Sequence, residues 1–213
     1  MNALSQPLFL TVAHGQLEVL KDCASVLTDS TASSPKGTAI LSHPHPLHGG
    51  TMDNKVVQTM ARAFVQVGWD VIRFNFRGVG QSSGVYDSAQ GELEDLLDVI
   101  EHFAPMGPMA LGGFSFGAMV TAKAVERLHP ARKIDRVVLV GLAVSRFVVP
   151  AIESSLHNST LLIHGQDDDV VPLTDVMAWA QDPVMPLCVV PKTGHFFHGQ
   201  LPLLKALVMR HVA

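Results

Sequence analysis

The chain has 213 residues, of which 47% are hydrophobic and 16% charged, and its formal net charge is −4 at pH 7. This length predicts one domain, residues 1–213, large enough to bury a core without disulfides or metals. The weak negative charge gives no reason to expect nucleic acid or an anionic membrane surface as a partner.

Cysteine content and hydropathy bear on the compartment. The chain has two cysteines, Cys23 and Cys188, and Cys188 falls in a predicted core strand, so no structural disulfide is expected. No Lys or Arg precedes Lys21, and no apolar run approaches the roughly 18 residues that a membrane span needs. These features predict a cytoplasmic protein with reduced thiols and no membrane partner. They leave its oligomeric state open.

Short apolar runs alternate with helical patterns along most of the chain. Residues 8–12 and 16–20 predict an antiparallel hairpin at a sheet edge, and residues 28–37, rich in Ser, Thr, Pro and Gly, predict an exposed loop. Further strands are predicted at residues 38–42, 69–74, 109–111, 134–142, 161–163 and 187–190. Helices are predicted at residues 52–67 and 92–103, from the glycine at 117 to about 128, from about 172, and at the C-terminus.

Strands that alternate with helices imply right-handed crossovers and a mostly parallel sheet. We therefore predict an α/β fold with a twisted sheet of about eight strands, helices on both faces and the hairpin as an antiparallel N-terminal edge. Binding and catalytic sites in such sheets lie at the carboxyl ends of the strands. Only residues 146–160 separate the sixth strand from the next, which leaves no room for a lid domain.

The segment Gly113-Phe114-Ser115-Phe116-Gly117 lies between a predicted strand and a predicted helix. In that setting G-x-S-x-G forms a tight turn that projects the serine hydroxyl from the end of the sheet. Side chains two residues before and after the serine would meet the neighbouring strand and helix, so both positions require glycine. Ser115 is the candidate nucleophile, and an ordinary helix N-cap is the alternative. Ser82 and Ser83 lie in a loop without this geometry.

The acid that a serine nucleophile needs has three neighbouring candidates. The seventh strand leads into His-Gly-Gln-Asp-Asp-Asp-Val-Val-Pro, in which the aspartates are Asp167, Asp168 and Asp169. One of these is expected instead to cap the helix that begins near Pro172. The loop after the sixth strand, residues 141–146, holds no carboxylate, and this favours the later loop.

The candidate base follows the last predicted strand, where Pro-Lys-Thr-Gly-His-Phe-Phe contains His195. Two other histidines compete with it. His164 ends a strand and is expected to bond to the backbone, and His198 is expected in the first turn of the last helix. The order along the chain is therefore serine, acid, histidine. This is the order of an α/β-hydrolase triad and not that of chymotrypsin-like or subtilisin-like enzymes.

In these motifs the chain resembles the α/β-hydrolase superfamily, in particular its short, lidless members close to dienelactone hydrolases. The resemblance extends from about residue 39 to residue 197. It includes residues 75–82, Asn-Phe-Arg-Gly-Val-Gly-Gln-Ser, which are similar to the family's D-x-R-G-x-G-x-S loop but have Asn75 in place of the usual aspartate. The family pattern H-G-x-x-D-x-x-V-P implies Asp168 as the acid, and the Gly-His-Phe loop implies His195 as the base.

The histidine-rich loop after the third strand contains His43, His45 and His48 and allows a metal interpretation. Zinc sites need three or four converging ligands, and two prolines restrict the backbone here. We expect no metal at this loop, and no metal or other cofactor elsewhere in the protein.

The family resemblance implies instead that this loop contributes to an oxyanion hole, together with the backbone amide of Phe116. Pro44 and Pro46 have no N–H, so the second donor must be the amide of His45 or of Leu47. Comparison with the family favours His45.

These inferences point to a serine hydrolase of the carboxylesterase type that cleaves an ester, or a thioester or amide, of a small-molecule acyl substrate through an acyl-enzyme. Candidates for an apolar acyl pocket are Phe114, Phe116, Phe196 and Phe197. The alternative is a non-catalytic ligand-binding protein on a hydrolase scaffold, which the loss of a triad residue would have favoured.

Overall fold

The computed structural model describes residues 5–24, 34–182 and 184–213. Its eight strands are β1 (Ser5–Val12), β2 (Gly15–Asp22), β3 (Thr38–Ser42), β4 (Asp70–Phe74), β5 (Met109–Phe114), β6 (Arg136–Val140), β7 (Thr160–Gly165) and β8 (Leu187–Val190). The α-helices are α1 (Lys55–Gln66), α2 (Gly91–Phe103), α3 (Phe116–Leu128), α4 (Leu173–Gln181) and α5 (Leu201–Val212). Two short 3-10 helices span Pro46–His48 and Ser154–Ser159.

The strands form one sheet in the order β1-β2-β4-β3-β5-β6-β7-β8. β1 pairs with β2, and β2 with β4, in antiparallel fashion, while the pairs from β4 through β8 are parallel. The predicted α/β sheet of about eight strands with an antiparallel N-terminal edge is confirmed. Residues 28–33 of the predicted exposed loop lie outside the described residues.

Helices cover both faces of the sheet, as the apolar strands require. Helices α1 and α5 pack on one face, where Phe64 and Val208 are fully buried. Helices α2, α3 and α4 cover the other face, with Leu96 and Val176 in its core. No helix of the described segments is both long and apolar enough to cross a membrane. The parallel strands thus end together at one edge of the sheet, where the functional candidates follow them.

The loop after β4 begins at Asn75, where the family pattern usually has aspartate. Its Oδ1 accepts a hydrogen bond from the amide of Met52 at 2.9 Å, and its Nδ2 donates to Glu18 at 2.7 Å. An aspartate could make the first bond but would face the carboxylate of Glu18 without a donor. Asparagine therefore suits this chain because Glu18 already supplies the negative charge.

Buried carboxylates of helix α2 hold the rest of this loop. Asp95 accepts hydrogen bonds from the backbone and the guanidinium of Arg77, at 2.9 Å and 3.1 Å. Glu92 accepts from the amides of Asp87 and Ala89, both at 2.8 Å. These hydrogen bonds hold the long segment between β4 and α2 near both of its ends.

Candidate active site

Ser115 occupies the turn between β5 and α3 with φ +57° and ψ −117°. Such a conformation costs a non-glycine residue about 1–3 kcal/mol. The amide of Ser115 donates to the carbonyl of Val140 at 2.9 Å, which ties the turn to β6. A Cβ at Gly113 would overlap the backbone of Gly117, and a Cβ at Gly117 would overlap the backbone at the end of β3. Both glycines are therefore required, for the reason that the sequence pattern suggested.

The structure brings together the three side chains that the sequence proposed. The Nε2 atom of His195 lies 2.9 Å from Oγ of Ser115, and its Nδ1 atom lies 2.7 Å from Oδ2 of Asp168. All three residues are buried. The three side chains form a continuous hydrogen-bonded chain, although they come from loops after β5, β7 and β8.

Asp168 is surrounded by hydrogen-bond donors. Its Oδ1 accepts from the amides of Val170 and Val171 at 3.0 Å and 2.8 Å, while Oδ2 faces His195. Burial alone would raise the pKa of this carboxyl, but the bonds from His195 and Val171 outweigh it and lower the pKa below its usual value. Asp168 is therefore held as an oriented carboxylate.

The other two aspartates of this loop, Asp167 and Asp169, are exposed. The expectation that one of them caps the next helix is wrong. Helix α4 has Pro172 at its N-cap position and no side-chain cap. The amides at residues 170 and 171, just ahead of that helix, instead bond to Asp168.

His164 lies beneath the carboxylate and is fully buried. Its Nε2 donates to the carbonyl of Val171 at 2.9 Å, as its expected backbone role implies, and lies 3.4 Å from Oδ2 of Asp168. Burial lowers the pKa of His164, although the carbonyl and the carboxylate oppose this effect. A neutral ring with its proton on Nε2 presents a second imidazole N–H to Asp168. His198 precedes helix α5 rather than lying in its first turn, so that expectation is wrong.

The loop after β3 lies directly against the turn that carries Ser115. The amide of Leu47 donates to Nδ1 of His45 at 3.2 Å, so this amide is occupied. The amides of His45 and Phe116 donate to no residue in the part of the chain that the structure describes. The rings of His45 and Phe116 are 4.9 Å apart. Of the two candidates in this loop, the amide of His45 is the one free to bind an oxygen at the site.

His43 anchors the base of this loop. Its Nδ1 donates to the carbonyl of Pro44 at 2.6 Å, and its Nε2 accepts from the amide of Phe76 at 3.0 Å. Burial lowers the pKa of His43 from 6.5 to about 4, against the opposing effect of the bond to Pro44. The neutral ring thus ties the loop after β3 to the loop after β4.

The lowered pKa of the buried His43 predicts that the stability of the fold depends on pH. The pKa of His43 is lower in the folded than in the unfolded state, so its stabilising effect is full above about pH 6.5 and is lost as the pH falls to about 4. The effect amounts to about 3 kcal/mol at most. His43→Gln keeps an acceptor for Phe76 but cannot titrate, so its free energy of unfolding should vary less over this range. Urea titrations at several pH values measure the difference, and identical pH slopes in the two proteins would contradict it.

The metal interpretation of the histidine loop finds no support in these contacts. Both ring nitrogens of His43 are engaged, and the ring of His45 accepts the amide of Leu47. Across residues 5–24, 34–182 and 184–213, no three or more His, Cys, Asp or Glu side chains are grouped so that they could hold a metal ion.

The aromatic residues around the site differ from those that the sequence proposed. Phe114, Phe116 and Phe197 are buried in the core, and of the four candidates for the acyl pocket only Phe196, at 45%, is substantially exposed. Sequence reasoning missed Tyr86 and Phe147, which are half-buried. The sequence signal that could have identified them is an aromatic residue, isolated from other aromatic residues, in a loop that follows a parallel strand. Such loops border the site.

Comparison with known proteins identifies relatives that share this fold over nearly the whole chain. A lidless α/β serine hydrolase of Xanthomonas campestris superposes with a TM-score of 0.83 and 32% identity, over 100% of this chain and 95% of that one. An α/β serine hydrolase homologue from Coxiella burnetii also gives 0.83, with 36% identity over 98% and 97% of the two chains. The chain belongs to the lidless α/β serine hydrolases.

Two further matches cover only part of this hydrolase. The family model described as serine aminopeptidase, S33, matches residues 45–150. An uncharacterized protein of Rickettsia prowazekii (strain Madrid E) is 41% identical over 101 residues, which are 45% of the hydrolase and 42% of the Rickettsia protein. The matched stretch therefore spans less than half the length of that relative.

Proposed function

We propose that this hydrolase cleaves an ester, or a related acyl bond, of a small-molecule substrate through an acyl-enzyme formed on Ser115. The observation that carries the proposal is the hydrogen-bonded chain from Oγ of Ser115 through both nitrogens of His195 to Asp168. A serine hydroxyl becomes an effective nucleophile when an adjacent base removes its proton and a third group orients that base.

In the first half of the reaction, Nε2 of His195 accepts the proton of Ser115 as Oγ bonds to the substrate carbonyl carbon. The proton on Nδ1 stays with His195, and Asp168 stabilises the resulting imidazolium. The carbonyl oxygen becomes an oxyanion that receives hydrogen bonds from the free amides of Phe116 and His45. The positive end of helix α3, which begins at Phe116, adds to this stabilisation.

His195 then protonates the leaving group as the bond between it and the carbonyl carbon breaks, which completes the first half of the reaction. The acyl group then remains on Ser115. In the second half, a water molecule gives a proton to the same imidazole as its oxygen bonds to the acyl carbon. The bond from that carbon to Oγ then breaks as the imidazolium returns the proton to Oγ, which releases the acid and restores the serine. The chain itself supplies every group used, so the proposal requires no cofactor. Esters and thioesters are favoured over amides because their leaving groups depart more readily.

A fluorophosphonate tests this function without knowledge of the substrate. The reagent forms a bond to a serine when a base activates the hydroxyl and donors stabilise the tetrahedral phosphorus. We expect one adduct, located by mass spectrometry on the peptide that contains Ser115. Ser83→Ala should label normally, and Ser115→Ala should not label. EDTA should leave labelling unchanged, because no metal takes part in the proposed steps.

The outcome also separates the enzyme from a non-catalytic binding protein on the same scaffold. Folded protein that forms no adduct would favour the binding protein, because an unactivated serine does not react. Labelling that disappears in EDTA would restore the metal interpretation of the loop after β3.

A further inference from the structure

Three aromatic side chains at the edge of the site expose part of their rings, and we call them the rim rings. They are Tyr86 in the loop after β4, Phe147 in the loop after β6, and Phe196 in the loop after β8. Each rim ring contacts Phe114 or Phe116, and these two phenylalanines are buried, so the rim rings expose aromatic surface where the two do not.

Two of the rim rings lie on the side of the free amides. The ring of Phe147 is 5.4 Å from that of Phe116 and 6.0 Å from that of His45. The ring of Tyr86 is 5.0 Å from His45 and 6.0 Å from Phe116. Tyr86 and Phe147 therefore cover the two residues whose amides are the proposed oxyanion donors.

The third rim ring lies on the side of the base. The ring of Phe196 is 5.1 Å from that of His195, in an edge-on arrangement, and 6.0 Å from that of Phe114. The rim rings thus divide into a pair beside the amides and a single ring beside the imidazole.

Contacts from the helices hold the loops that carry the pair. Glu92 accepts hydrogen bonds from the amides of Asp87 and Ala89, one and three residues after Tyr86. The indole of Trp179 on α4 donates to the carbonyl of Val149 at 3.1 Å, two residues after Phe147. The pair is therefore preorganised, which reduces the entropy lost when a substrate group packs against it.

We infer that the site selects a planar aromatic acyl group, which lies against Tyr86 and Phe147, and places the leaving group against Phe196. This inference rests on the proposed function. In the tetrahedral intermediate the oxyanion points to the amides, and the leaving group must be within reach of the proton on His195. The acyl group takes the remaining direction, beside the pair of rings that covers the amide donors.

Two ratios of kcat/KM, each measured for the wild type and for a variant, test this assignment. Comparing a ratio between variant and wild type cancels the intrinsic reactivity of the esters. The acyl ratio compares p-nitrophenyl benzoate with p-nitrophenyl acetate, and the leaving-group ratio compares phenyl acetate with ethyl acetate. Phe147→Ala should lower the acyl ratio by about tenfold, the effect of losing one aromatic contact, and leave the leaving-group ratio within about twofold. Phe196→Ala should do the reverse. Phe147→Tyr keeps a ring and should restore the acyl ratio.

Phe9, which is exposed on the edge strand β1, supplies the matched control. Phe9→Ala should change neither ratio. If Phe147→Ala does not fold, Phe147→Leu keeps an apolar side chain against Phe116 and should still lower the acyl ratio by several-fold. Two ratios that move together, or not at all, in the Phe147 and Phe196 variants would overturn the inference.

The same measurements separate a failure of this inference from a failure of the proposed function on which it rests. Wild-type protein that labels at Ser115 and hydrolyses these esters, with ratios that the variants leave unchanged, would overturn the substrate assignment alone. Protein that neither labels nor hydrolyses any of the esters would overturn the proposed function and the inference with it.

Discussion

Replacing Ser115 with alanine should lower kcat for p-nitrophenyl acetate by roughly 10⁴–10⁶, the range found when a triad nucleophile is removed. Without Oγ no acyl-enzyme forms, and any remaining rate should come from the proposed oxyanion donors, the amides of Phe116 and His45, acting on a bound ester. Alanine keeps the Cβ of serine, so the strain at φ +57° stays the same and the melting temperature should change little. Steady-state kinetics and a thermal melt measure the two effects.

Ser83→Ala is the matched control, because Ser83 lies in the loop after β4 and bonds to the backbone of Gln16. This variant should retain nearly full kcat. If Ser115→Ala keeps more than about a hundredth of the wild-type kcat while folded, the assignment of Ser115 as nucleophile is wrong.

Replacing Asp168 with asparagine should lower kcat by about 10⁴, the loss expected when the imidazole is held in the wrong tautomer. The amides of Val170 and Val171 require an acceptor, so the asparagine oxygen should take the place of Oδ1. Its NH₂ group then faces Nδ1 of His195, which must become an acceptor. The imidazole proton moves to Nε2, the nitrogen beside Ser115, and the ring can no longer remove the serine proton.

Asp167→Asn and Asp169→Asn provide the comparison, because both side chains are exposed and both residues are immediate neighbours of Asp168 in the chain. Each should retain kcat within a few-fold of wild type under the same assay. A large loss in Asp169→Asn with a small loss in Asp168→Asn would show that the acid is assigned one residue too early.

The regular elements of this fold were predictable from sequence because their signals are local. Short apolar runs alternate with segments of helical spacing, and β3 and β8 were predicted at the residues where they occur. The requirement for Gly113 and Gly117 was predictable for the same reason, since a strand, a tight turn and a helix follow one another within a few residues.

The helix cap and the position of the aromatic rings were harder to predict. The amides near the start of α4 bond to Asp168, so the exposed aspartates beside it provide no cap. Of the four phenylalanines that the sequence proposed for the acyl pocket, three lie in the core, whereas Tyr86 and Phe147 are half-buried beside the loop after β3. Nothing within a few residues of a phenylalanine specifies which layer of the sheet will cover it.

The sequence by itself determined the class of fold, the strand ends that carry candidate groups, and the order serine, acid, histidine. These depend on periodicity and on residues close together in the chain. Only the tertiary structure decided that Oδ2 of Asp168 meets His195, 27 positions away, and that His195 meets Ser115 across 80 positions. It also decided that the amide of Leu47 donates to the ring of His45, whereas the amide of His45 donates to no residue of the described chain. Such contacts join separate loops, and the packing of the whole sheet sets their geometry.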